Sequence, residues 1–77
     1  MNSFMKIEYT RHVRRRMKWR KISESDIETA LTDPDKTEMS EKHRMNAYKY
    51  INNRLIKVTF YQEDDIMKII TAVWKGE

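Results

Sequence analysis

The chain has 77 residues, of which 39% are hydrophobic and 36% are charged, enough for a single domain over residues 1–77 with a thin core. It carries 16 Lys and Arg residues against 12 Asp and Glu residues and has no cysteine, which excludes disulfides and thiol chemistry. It shows no apolar run that would span a membrane and no signal-peptide pattern, so we expect a cytoplasmic protein, and a core this thin makes a homodimer a reasonable expectation.

The chain is expected to open with a short strand. Residues 6–9 alternate between polar and apolar positions, which predicts about four residues of strand. Because the pattern begins just after Met5, we expect the first four residues to be a dispensable lead-in.

A strongly basic helix is predicted next, from Thr10 to about Lys21. Thr10 suits the N-cap position, and nothing in this stretch breaks a helix. Residues 10–22 contain seven of the basic residues and no acid, so the rest of the chain has nine basic residues against 12 acidic ones. A positive field this concentrated is expected to attract polyanions. The seven basic residues are Arg11, Arg14, Arg15, Arg16, Lys18, Arg20 and Lys21.

The faces of this helix differ in chemistry. At about 100° per residue, Val13 and Met17 form a thin apolar seam that we expect to contact the core. A neighbouring edge combines an imidazole, two guanidinium groups and an indole at spacings of three, four and seven residues. These residues are His12, Arg15, Arg16 and Trp19.

A second helix is predicted to begin at Ser23 and to end at Asp33. Ser23 and Asp26 have the spacing of a capping box, and Pro34 disfavours helical structure in the residue before it. The acidic residues of the first turns suit the positive end of the helix dipole, and we interpret this helix as structural.

From Asp35 onward the apolar period changes to two, which predicts strands. The predicted strands cover residues 36–40, 45–51, 55–62 and 66–74. The last of them is apolar on both faces, which favours a central position in its sheet. We therefore expect an α+β fold: a short N-terminal strand, two helices, and then a curved antiparallel sheet of three to four strands with both helices on one face.

With this order of elements, several short motifs resemble those of domain-of-unknown-function family 4258. The residues that carry the resemblance are Thr10, His12, Arg16 and Met17, then Ile22-Ser23, Asp33-Pro34 and Ile70-Thr71-Ala72-Val73. That family is placed with the RelE-like toxin fold, in which small metal-independent ribonucleases of toxin–antitoxin systems are common.

The resemblance implies a toxin that acts as a metal-independent RNA endonuclease, with no cofactor or metal. Its implied catalytic residues are His12, Arg16, Lys57 and Thr71. From the charge and position of the residues themselves, we expect RNA binding by Arg11, Arg14, Arg15, Lys18, Trp19 and Tyr61. The implied partners are RNA, with ribosome-bound mRNA as one candidate, and an acidic antitoxin protein.

The residues themselves suit this chemistry. Metal-free RNA cleavage needs a base for the 2′-hydroxyl, an acid for the leaving oxygen and cations around the phosphate. His12 is the residue of the helix that can exchange a proton near neutral pH, and guanidinium groups such as Arg16 bind phosphate in a bidentate way. Lys57 and Tyr61 would complete the site if their strand face met the helix edge.

Each candidate also has a structural interpretation. His12 can act as a helix cap or as a partner of the sheet backbone, and Arg16 can be a buried residue that holds the helix to the sheet. Trp19 at helical spacing is typical of a core residue, and tyrosines on one strand face typically pack across strands. The acids of residues 63–65 are typical of a turn and His43 of a surface loop.

Two rival functions therefore remain open beside the enzyme. One is a toxin-fold protein that inhibits a target by binding without chemistry. The other is a small basic nucleic-acid-binding module.

Overall fold

The computed structural model describes residues 6–76, and the predicted lead-in at residues 1–4 lies outside them. These residues form five strands and two helices. In chain order the elements are β1 (Lys6–Glu8), α1 (Arg11–Arg20), α2 (Glu24–Thr32), β2 (Lys36–Met39), β3 (Met45–Ile51), β4 (Arg54–Glu63) and β5 (Ile66–Lys75). The α+β class, both helices and all predicted strands are confirmed, with ends that differ by at most one residue.

The five strands form one mixed sheet in the order β1-β5-β4-β3-β2. Strands β2 to β5 pair as an antiparallel meander, whereas β1 pairs with β5 in parallel. The predicted sheet of three to four antiparallel strands was therefore one strand too small, because the N-terminal strand joins it. Strand β5 lies between two strands only at Ile66 to Lys68, where it pairs with β1 as well as with β4.

The helix ends follow local rules that the sequence already indicated. The hydroxyl of Thr10 accepts a hydrogen bond of 3.0 Å from the backbone N–H of Val13, which caps α1. Helix α1 ends where Lys21 adopts a left-handed conformation with φ 58°. Ser23 and Asp26 exchange two hydrogen bonds of 3.0 Å, the predicted capping box at the start of α2.

The core lies between the two helices and one face of the sheet. Helix α1 contacts β5, and α2 contacts β3 and β4. On the sheet, Ala47, Val58 and Ala72 are cross-strand partners and share the covered face. The buried hydrophobic residues are Val13, Met17, Ile22, Ile27, Ala30, Ala47, Ile56, Val58, Phe60, Ile69 and Ala72. The predicted apolar seam of α1 is thus buried, and its charged faces point to solvent.

Candidate functional site

A small cavity of about 140 Å³ opens in the seam between α1 and β5. It is lined by His12, Val13, Arg16, Ile70, Thr71 and Ala72. Val13 is buried and forms part of the core, whereas His12 and Arg16 are exposed on the solvent side. The cavity therefore brings an imidazole and a guanidinium to the edge of the apolar core, beside residues 70–72 of β5.

Helix α1 lies along the part of the β5 edge that β1 leaves uncovered. Strand β1 pairs with β5 only as far as Lys68, so the rest of that edge has no strand neighbour among residues 6–76. Arg20 donates a hydrogen bond of 3.0 Å from its guanidinium to the backbone carbonyl of Ala72. The indole N–H of Trp74 donates one of 2.8 Å to the backbone carbonyl of Arg20. These two bonds hold the last turn of α1 against β5.

An irregularity in β5 shapes the floor of the cavity. Thr59 pairs with Thr71, but the next residue, Phe60, pairs with Ile69, so Ile70 has no partner in β4. One extra residue of this kind is a β-bulge, which bends the strand and re-aims its side chains. The bulge therefore lies directly beneath the imidazole and guanidinium of α1.

The electrostatic setting of the cavity favours an anion. His12 is the second residue of α1, where the helix dipole is positive, and the first turn contains no acid. Arg16 follows one turn later, so its Cβ lies about 5–6 Å from that of His12. A phosphate in the cavity would meet the guanidinium of Arg16 near the positive end of the helix, with the imidazole of His12 beside it.

The structural roles that could have occupied the candidate residues of α1 belong to other residues or are absent at their positions. The cap of α1 is Thr10 rather than His12, and the guanidinium that holds the helix to the sheet belongs to Arg20. Arg16 is exposed, so its interpretation as a buried structural residue was wrong. Trp19 is 78% exposed, so its interpretation as a core residue was also wrong.

The structure does not bring two predicted residues of the sheet into the cavity. Lys57 lies between the buried Ile56 and Val58, and the period of two points it away from the helices. Tyr61 pairs with Lys68, whose ammonium lies 5.8 Å from the centre of the phenol ring. Neither residue lines the cavity. Thr71 borders the cavity, but it pairs with Thr59 and precedes the buried Ala72, so the period of two places its side chain on the face of Thr59 and not on the covered face.

The other basic residues of α1 divide into two groups. Arg11, Arg15 and Lys18 are exposed along the helix. Arg14 instead forms an ion pair with Glu24 of α2, and its guanidinium lies 4.7 Å above the ring of Tyr9. Arg14 therefore contributes to the contact between the two helices.

Sequence reasoning missed a second, larger concavity at the other end of the same seam. This groove has a volume of about 460 Å³ and is lined by Trp19, Arg20, Lys21, Arg54, Val73 and Trp74. The guanidinium of Arg54 lies 4.1 Å from the centre of the Trp74 ring, within the range of a cation–π contact. The only signal of this groove in the sequence was an Arg and a Trp near the ends of two predicted strands. The pairing register that places the two side chains next to each other could not be read from the sequence.

The sheet face opposite the helices carries a hydrogen-bonded polar network. The carboxylate of Glu38 accepts bonds from the Tyr48 hydroxyl at 2.7 Å and from the Asn46 amide at 3.3 Å. Asn46 in turn accepts a bond of 2.7 Å from the hydroxyl of Thr59. These bonds, first that from Tyr48 and then that from Asn46, lower the pKa of Glu38. Tyr48 therefore has the role of a cross-strand partner, as its structural interpretation predicted.

Within residues 6–76, no three His, Asp or Glu side chains gather as metal ligands would. Neither helix has the length and apolar character that would let it cross a membrane.

The fold and the seam together define a small α+β protein in which a cationic helix lies along the bulged edge of a mixed sheet. The chain belongs to the family described as Domain of unknown function (DUF4258), whose model matches residues 9–74. That match confirms the family part of the resemblance seen in the sequence. No curated protein and no solved structure matches the chain.

Proposed function

We propose that this protein is an RNA endonuclease that works without a metal ion and is the toxin of a toxin–antitoxin system, on a RelE-like fold. The observation that carries the proposal is the cavity in which His12 and Arg16 meet beside β5. It combines proton transfer with phosphate recognition, which are functions that metal-free RNA cleavage requires.

In the proposed reaction, the RNA supplies its own nucleophile. The imidazole of His12 accepts the proton of a ribose 2′-hydroxyl, and that oxygen attacks the adjacent phosphorus. The bond between phosphorus and the 5′ oxygen breaks, which leaves a 2′,3′-cyclic phosphate on one product. The proton held by His12 then passes to the 5′ oxygen, directly or through a water molecule, and gives a 5′-hydroxyl on the other product.

Arg16 has the electrostatic role in this scheme. Negative charge accumulates on the non-bridging phosphate oxygens as the new bond forms, and a guanidinium can bind two of them at once. The exposed cations Arg11, Arg15 and Lys18 contribute the long-range attraction that brings RNA to the seam.

The toxin assignment adds a partner. An acidic antitoxin would cover α1, whose exposed cations and open seam are complementary to a negatively charged chain. Expression of this protein alone should then arrest growth, and co-expression of the open reading frame beside its gene should restore it.

The decisive experiment incubates the purified protein with single-stranded RNA in excess EDTA and determines the chemical ends of the products. The proposal expects 2′,3′-cyclic phosphate and 5′-hydroxyl ends, and no cut at a nucleotide that carries a 2′-deoxyribose. RNA that is bound but remains intact would contradict the proposal and favour a binding protein of the same fold.

A further inference from the structure

The groove beyond the cavity has the composition of a site for nucleobases. Its lining contains three cations, two indoles and a valine, and no acid of residues 6–76 belongs to it. Its volume of about 460 Å³ lies in the range of small-ligand pockets. Sites that bind single-stranded RNA combine positive charge along the backbone with aromatic faces on which the bases stack.

Trp19 is the exposed aromatic surface of this groove. Its indole is 78% exposed although α1 packs on the sheet, so the ring contributes little to the core. Large aromatic side chains normally bury most of their area. An indole left in water beside three cations is thus available for a ligand with a flat aromatic face.

The opposite wall of the groove is held in place. Trp74 is fixed by its hydrogen bond to the carbonyl of Arg20, and the guanidinium of Arg54 stacks on its ring. The ring and the guanidinium stacked on it form a surface of the groove that Trp19 also lines. Such a surface costs little entropy when a ligand binds.

The groove and the cavity follow one another along the same two elements. On α1 the cavity uses His12 and Arg16, and the groove uses Trp19 and Arg20. On β5 the cavity ends at Ala72, and the groove begins at the next residue. Along the helix axis, His12 and Trp19 are about 10 Å apart, a distance that about three stacked nucleotides span.

From this arrangement we infer that the groove is a nucleobase subsite, in which a base a few nucleotides from the phosphate at His12 stacks on Trp19. Arg20 and Lys21 lie beside the ring as the cations that would meet the adjoining phosphates. The inference rests on the proposed RNA substrate and adds the means by which a single strand is aligned along the seam. An acidic peptide would use the cations but has no need of an exposed indole.

The test measures binding separately from cleavage. The probe is a fluorescent oligoribonucleotide of about 10 nucleotides with 2′-O-methyl sugars throughout, so that it cannot be cut. A scan replaces each base in turn by an abasic nucleotide, and fluorescence anisotropy gives the dissociation constants for the wild type, Trp19→Ala and Trp19→Phe.

For the wild type, we expect one abasic position to weaken binding about tenfold. Trp19→Ala should weaken binding of the intact probe by the same factor and should no longer respond to the abasic replacement. Trp19→Phe should restore most of the affinity because it restores an aromatic face. Tyr50→Ala is the matched control, since Tyr50 is 63% exposed on β3, and it should bind as the wild type does.

Wild-type affinity in Trp19→Ala, or an undiminished response to the abasic position, would overturn the inference. The inference would also be overturned if Trp19→Ala weakened the binding of an acidic peptide but not that of the oligonucleotide. Cleavage of unmodified RNA judges the proposed nuclease separately. Cleavage without a Trp19 effect on binding would remove only the subsite, whereas the Trp19 effect without cleavage would retain the subsite and remove the nuclease.

Discussion

The indole N–H of Trp74 donates a hydrogen bond of 2.8 Å to the backbone carbonyl of Arg20, and thus joins the end of α1 to β5 across 54 positions of sequence. Arg20 completes the connection from its side by donating to the carbonyl of Ala72. The position of His12 and Arg16 over the sheet edge depends on this pair of contacts, because both residues lie on the helix that it anchors.

This anchor gives the first prediction. Trp74→Phe keeps an aromatic ring but removes the only N–H of the side chain, which leaves a partly buried carbonyl without its partner. The lost bond should lower the free energy of unfolding by about 1–2 kcal/mol. In a domain of this size, each kcal/mol corresponds to about 4–8 °C in Tm.

Thermal unfolding followed by circular dichroism measures this effect. Trp19→Phe is the matched control, because it makes the same chemical change at an indole that is 78% exposed. Equal Tm values for the two variants would show that the bond between Trp74 and Arg20 does not hold the helix.

A second prediction concerns the polar network on the open sheet face. Asn46 and Thr59 are 7% and 8% exposed and share a hydrogen bond of 2.7 Å. Asn46→Ala leaves the Thr59 hydroxyl buried without its acceptor, which should cost about 1–3 kcal/mol. Urea unfolding should show a smaller loss for the double variant Asn46→Ala with Thr59→Val than for Asn46→Ala alone. A larger loss in the double variant would contradict the idea that the unpaired hydroxyl carries the cost.

The third prediction concerns stability at high pH. The hydroxyl of Tyr9 is buried and has no hydrogen-bond partner within residues 6–76. Burial, together with the negative charges of Glu24 and Glu28, raises the pKa of Tyr9 from 10.0 to about 12. A pKa raised in the folded state means that the folded protein holds this proton more tightly than the unfolded chain does. The resulting stabilisation is complete below pH 10 and is lost as the pH rises toward 12.

Tyr9→Phe removes this titration and also removes a hydroxyl that has no partner. The variant should be as stable as the wild type or more stable at pH 7, and it should lose less stability between pH 10 and 12. Urea unfolding across this range measures both effects. Tyr50→Phe, at an exposed tyrosine, should keep the wild-type pH dependence, and a Tyr9→Phe profile parallel to it would refute the prediction.

The features of this fold that could be predicted from the sequence are those that depend on residues close together in the chain. The caps at Thr10 and Ser23 depend on residues within one turn, and the strands follow from a period of two, so both were predictable. The parallel pairing of β1 with β5 was not, because it depends on a register between distant segments. For the same reason the exposure of Trp19 was missed: the periodicity of α1 indicates which residues share a face, but it does not show how far the sheet extends beneath them.

For the candidate site, too, the sequence predicted the local arrangement on the helix but not the contacts with distant strands. The spacing of His12 and Arg16 places them on one helix edge, and both line the cavity against β5. Lys57 was assigned to the site on the assumption that its strand face meets the helix. It faces away because the residues on either side of it, Ile56 and Val58, occupy the covered face. The bulge at Ile70 left no signal in the sequence, since an extra residue in a strand has no composition of its own.

A fourth prediction separates the charge of Arg16 from its geometry. Arg16→Lys keeps the positive charge but loses bidentate binding of the phosphate. The single-turnover rate of RNA cleavage should fall about 10- to 100-fold, whereas RNA affinity should change little. Arg15→Lys is the matched control because Arg15 lies beside it on α1, is also exposed and does not line the cavity. Equal rates for the two variants would remove Arg16 from the reaction.

The most direct test of the central claim compares the two histidines of the chain in one assay. His12 lines the cavity, whereas His43 is exposed in the loop between β2 and β3. Single-turnover cleavage of RNA in EDTA should fall at least about 100-fold in His12→Ala, with circular dichroism and RNA affinity close to the wild type, and should be unchanged in His43→Ala. Wild-type cleavage by folded His12→Ala would contradict the account.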